Sequence, residues 1–89
     1  GPAKREVFAN NVDELLDTMI QDELLQLEKT VEELTKEEKI MIVHNLDERG
    51  AFLIKKAAER VAEFFGISRF TVYNYLNAAS EGKNEQTTD

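Results

Sequence analysis

The chain has 89 residues, 42% of them hydrophobic and 33% charged, and carries a net charge of −7. That length supports one small domain that buries roughly 60–65% of its extended-chain surface, and the apolar runs are far too short to span a bilayer. The absence of cysteine excludes a disulfide framework and a thiolate metal site. Nothing at the start reads as a signal peptide, so a cytoplasmic origin without a membrane partner is expected.

Gly1-Pro2, with no initiator methionine, reads as the scar of a removed purification tag, so the chain is expected to be part of a longer protein. Residues 1–11 are taken as this scar and an irregular lead-in. Asn11 and Glu14 then have capping-box spacing, and Val12, Leu15, Leu16, Met19, Ile20, Leu24 and Leu27 recur at threes and fours. These predict an amphipathic helix over 12–28 whose other face carries Asp13, Glu14, Asp17, Asp22, Glu23 and Glu28. Such a helix either packs on its own domain with a solvated acidic face or pairs with a second copy or with the missing upstream part, which makes it the candidate dimerisation element.

Residues 31–34 read as a connector. Thr35 and Glu38 form a second capping box for a helix over 36–49, with Ile40, Val43, Leu46 and either Met41 or Ile42 facing inward. Gly50 stops it. After a turn at Ala51-Phe52-Leu53, a helix over 53–65 buries Ile54, Ala58, Val61, Ala62 and Phe65, and Gly66 ends it. A last helix over 69–79 takes Ser68 as its cap. Residues 80–89 contain no apolar residue and are expected to be disordered. The fold expected is therefore all-α, about four helices with a C-terminal helix-turn-helix in the 34–79 domain.

Catalytic chemistry finds no support in these residues. His44 is the only histidine and has no nucleophile at a recognisable spacing. The carboxylates are spread as solvated helix faces, and no glycine-rich loop follows a strand. An enzyme, a metal site and a cofactor are not expected.

The helix-turn-helix reading rests on residues 61–76. Ala62 is small where two helices must approach, Gly66 is free to take positive φ, Ile67 plugs the turn, and Val72 and Leu76 face inward. Outward, the last helix presents Arg69, Phe70, Tyr73 and Asn74, groups that reach base edges. The charge distribution agrees with this. Residues 1–50 hold 6 basic and 13 acidic side chains, whereas Lys55, Lys56, Arg60 and Arg69 around the turn outnumber Glu59 and Glu63.

Leu34-Thr35-Lys36-Glu37-Glu38-Lys39, the run Leu46-Asp47-Glu48-Arg49-Gly50-Ala51-Phe52-Leu53-Ile54-Lys55-Lys56-Ala57, and Val61-Ala62 with Ser68-Arg69-Phe70-Thr71-Val72-Tyr73-Asn74-Tyr75-Leu76 resemble the C-terminal domain of the YheO-like bacterial transcription regulators, whose relatives include D-arginine utilisation regulators. The turn is also similar to that of lac repressor-type regulators. The resemblance implies an upstream PAS-like sensor domain, a small-molecule signal and control of a metabolic or uptake operon. Family members often carry a small residue or glycine near Lys56, which is a departure that adds charge.

On this reading the helix over 69–79 lies in the major groove of double-stranded DNA. Arg69, Phe70, Tyr73 and Asn74 are the expected base-reading residues. Lys55, Lys56, Arg60, Ser68, Thr71 and Tyr75 are the expected phosphate contacts. Few cations per helix imply a homodimer that presents two helices to half-sites about one turn apart. The competing reading is a helical protein-interaction or oligomerisation module that uses the acidic surface.

Overall fold

Four α-helices and two short 3-10 turns build the chain in the computed structural model, which describes residues 2–88, with side chains over residues 12–78. The helices are α1 (Pro2–Leu27), α2 (Lys36–Glu48), α3 (Ala57–Phe65) and α4 (Arg69–Thr88), and no strand occurs among the described residues. The all-α class read from the sequence is the class observed. Helix α1 starts at Pro2, within the expected lead-in, and α4 runs to Thr88, through most of the expected tail; side chains are described neither there nor at the Asn11 capping box.

Local chemistry sets each boundary. At the end of α1, Glu28 takes a left-handed φ of 55°, and the Lys29 N–H reaches back to the Leu24 carbonyl at 3.3 Å, which closes the helix without glycine. Thr30 and Glu33 then organise the first 3-10 turn, the Thr30 N–H donating to Glu33 Oε1 at 2.9 Å. This gives the expected connector an internal cap. At α2 the capping box is complete: the Glu38 N–H donates to Thr35 Oγ1 at 3.1 Å and the Thr35 N–H to Glu38 Oε1 at 2.9 Å.

Between α2 and α3 the chain departs from expectation. Gly50 adopts φ 83°, residues Ala51–Leu53 make a 3-10 turn, and Lys56 is itself left-handed at φ 64°. Helix α3 therefore begins at Ala57, four residues later than the periodicity suggests. Phe52 and Ile54 still lean on the core, and Ile54, four residues before Ala58, thereby imitates one more turn of the helix.

All four helices contribute to one core. Leu16, Met19, Ile20 and Leu24 of α1 meet Ile42, Val43 and Leu46 of α2, Val61, Ala62 and Phe65 of α3, and Val72 of α4. Of the two alternatives on α2, Ile42 is buried and Met41 is exposed. Polar ties reinforce α1. Glu23, only 5% exposed, accepts from Asn45 Nδ2 at 2.9 Å and from Arg49 Nη1 at 3.3 Å. Asp17 receives the Arg60 guanidinium through two hydrogen bonds, of 3.0 and 2.6 Å.

Glu38 also accepts from the Lys29 ammonium at 2.7 and 2.9 Å. That hydrogen bond, followed by the one from the Thr35 N–H, holds its carboxyl below the ordinary value of 4.5. A lowered native value means that protonation favours the unfolded chain, so this contribution is present above the ordinary value and disappears as pH falls through the native one. Urea titrations over a pH series are expected to show stability falling on the acid side, with a shallower fall in Glu38→Gln. Identical acid limbs in the two proteins would contradict the assignment.

Candidate nucleic-acid interface

The corner between α3 and α4 is built on Gly66. Its φ of 69° places the Ile67 N–H on the Ala62 carbonyl at 3.0 Å and the Gly66 N–H on the Glu63 carbonyl at 3.3 Å, the paired bonds of a Schellman stop. Ile67 then tucks against the core. Ser68 caps α4, its Oγ accepting from the Thr71 N–H at 3.1 Å and lying 3.0 Å from Thr71 Oγ1. Ala62 and Val72 are buried between the helices and Leu76 is partly so, which leaves the opposite side of α4 outward.

That outward side carries the expected base-reading set. Phe70 is 67% exposed and Tyr73 48%, large apolar surfaces that an isolated fold leaves in water at a cost. Arg69 and Asn74 are exposed beside them. The Arg69 guanidinium lies 5.4 Å from the centre of the Phe70 ring, and its Nη1 donates to Glu59 Oε1 of α3 at 3.1 Å. Glu59 is a participant that the sequence reading passed over, because ten residues and a turn separate it from Arg69.

The expected phosphate contacts divide. Lys55, Lys56 and Ser68 are exposed, while Thr71 and Tyr75 are half-buried along the flank of α4. Arg60 differs from expectation: its guanidinium is engaged by Asp17, and that hydrogen bond raises its pKa, so in this structure it ties α3 to α1. Arginines 49, 60 and 69 are all paired with carboxylates. Lys36, Lys39, Lys55 and Lys56 make no ion pair with any described residue.

His44 is half-buried on α2, with Nε2 3.4 Å from Glu48 Oε1. Among the described residues no cluster of His, Asp or Glu has the arrangement of a metal site, and no helix is long and apolar enough to cross a membrane.

Lys56 carries a side chain at a left-handed position where glycine is favoured, so the strain is local and measurable. Lys56→Gly is expected to stabilise the fold by up to about 1 kcal/mol while weakening any polyanion contact. Urea midpoints and duplex titration should therefore move in opposite directions.

The buried Ala62 approach, the left-handed Gly66 and the capped α4 with its outward polar and aromatic side define a helix-turn-helix domain. The HTH domain family matches residues 15–77, and the chain belongs to that family. An uncharacterized protein of Haemophilus influenzae is 40% identical over 76 residues, a match that covers 78% of this chain and 31% of that protein. The chain thus spans about a third of the length of that relative. No solved structure matches the chain.

Proposed function

We propose that this chain is the DNA-reading domain of a bacterial transcriptional regulator of the YheO-like kind. The observation that carries the reading is the outward side of α4. An uncovered Phe70 and Tyr73 stand with Arg69 and Asn74 on one capped helix, beside free lysines, on an otherwise acidic domain. Helix α4 enters the major groove with its N-terminal residues nearest the bases. Arg69 makes a bidentate contact to guanine, Asn74 reads adenine, and Phe70 and Tyr73 meet thymine methyls. Lys55, Lys56, Ser68, Thr71 and Tyr75 hold phosphates, and Arg60 joins them only after release from Asp17.

Two copies are needed for tight binding, because affinity at physiological salt follows the number of phosphates neutralised. The core of this chain takes Leu16, Met19, Ile20 and Leu24, which leaves Val12 and Leu15 exposed on α1 as the pairing edge. In a longer parent, a PAS-like sensor on the N-terminal side of α1 passes a small-molecule signal to this pair, in the cytoplasm, and sets transcription of a metabolic or uptake operon.

The test is a mobility shift on random duplex and on a duplex enriched from a random pool, at low and moderate salt. Retention at low salt on both, with the enriched duplex surviving moderate salt, supports the reading. Failure on both at both salts rejects it in favour of a helical protein-interaction module. Light scattering that gives a monomer mass at high concentration, for this chain and for the full-length parent alike, removes the dimer.

A further inference from the structure

Two grooves run along the sides of α4. One, of about 310 Å³, lies toward α3 and is lined by Lys56, Glu59, Tyr73 and Leu76 among others. The other, of about 510 Å³, lies toward α2 and is lined by Lys36, Ile40, Thr71, Asn74, Tyr75 and Ala78. Each groove has at its rim an exposed lysine without an ion pair among the described residues, while the nearby arginines are all paired. Lys36 is the first residue of α2, and Glu37 and Glu38 point about 100° and 200° round that helix from it. Glu38 is moreover held by Lys29 and Thr35. The second groove is thus locally cationic in an acidic half of the chain.

A helix in the major groove has a sugar–phosphate strand on each side of it. We propose that the α2–α4 groove is the seat of one of these strands. Lys36 neutralises a phosphate there, Thr71 and Tyr75 offer their hydroxyls to it, and Lys55 and Lys56 hold the opposite strand. The assignment rests on the DNA reading above. It adds a contact that no local pattern announces, since 35 residues separate Lys36 from Thr71 and only the packing of α2 on α4 brings them together.

The experiment uses the full chain and the enriched duplex, with salt titrations of Lys36→Gln, Lys56→Gln and Lys29→Gln. Lys36→Gln and Lys56→Gln should each lower the slope of log affinity against log salt by about 1, with similar losses on random and enriched duplex. Lys29→Gln, made together with Glu38→Gln so that no carboxylate is freed beside Lys36, deletes that pair without a change in net charge and should leave the slope alone. Because the chain has no cysteine, Lys36→Cys and Lys56→Cys each provide one attachment point for a DNA-cleaving iron chelate. Cuts on opposite strands are expected. Tight binding with an unchanged Lys36→Gln slope, or cuts on the same strand, overturns the second seat alone. A wild-type chain that binds no duplex overturns the DNA reading and this seat with it.

Discussion

Ile20→Ala is expected to lower the unfolding free energy by about 2 to 5 kcal/mol, the largest effect of any single substitution considered for this chain. Ile20 is fully buried on α1, among Leu16, Met19 and Leu24, and faces the cores of α2 and α3. Removing three carbons there loses transfer energy and leaves a cavity that the neighbouring helices close only in part. A domain of this size has about 5 to 10 kcal/mol in total, so the variant should unfold at much lower urea, with its melting point down by at least about 8 °C on a scale of about 4 to 8 °C per kcal/mol. Leu15→Ala is the matched control. Leu15 is 52% exposed on the same helix, so its truncation should change stability by no more than about 0.5 kcal/mol, while reducing self-association if α1 pairs two copies. Equal destabilisation by the two substitutions would mean that α1 packs in a different register.

That contrast bears on what the sequence could disclose. The period of α1 was legible, but periodicity says only that a stripe is buried. It does not distinguish the domain's own core from a second chain. The structure divides the stripe, with Leu16 to Leu24 inside and Val12 and Leu15 outside. Caps were legible where chemistry is local: Thr35 with Glu38, Ser68, and the positive φ of Gly50 and Gly66 all follow from side chains within three residues of the backbone they serve. The late start of α3 was not, because Ile54 lies four residues before Ala58 and leans on the core from outside the helix, and because Lys56 occupies a backbone conformation that its side chain disfavours. The end of α1 was placed to within one residue, at 28 against Leu27, but not the left-handed φ of Glu28 that closes it. Long-range partners were beyond reach altogether. Arg60 looked like a free cation until packing placed Asp17, 43 positions earlier, against it, and the Glu59 contact to Arg69 exists only once the α3–α4 angle is set.

Arg69→Ala is expected to weaken binding to the enriched duplex by about 1 to 3 kcal/mol, and to weaken random duplex much less. Arg69 is the first residue of α4, with its guanidinium over the Phe70 ring and a planar fork that suits the two acceptors of guanine. In the free chain Glu59 holds it at 3.1 Å, but both side chains are about half-exposed, so the pair contributes between nothing and about 1 kcal/mol to stability. DNA exchanges one acceptor for another at little cost. Thermal unfolding of Arg69→Ala should therefore stay close to wild type, which separates a lost base contact from a damaged fold. Glu59→Gln sharpens the test. Deleting that carboxylate removes a negative charge near the phosphates and should tighten random duplex, while leaving Arg69 less well oriented and the ratio of enriched to random binding smaller. If Arg69→Ala instead costs the same on both duplexes, Arg69 belongs with the phosphate contacts, and base reading on α4 passes to Asn74, Phe70 and Tyr73.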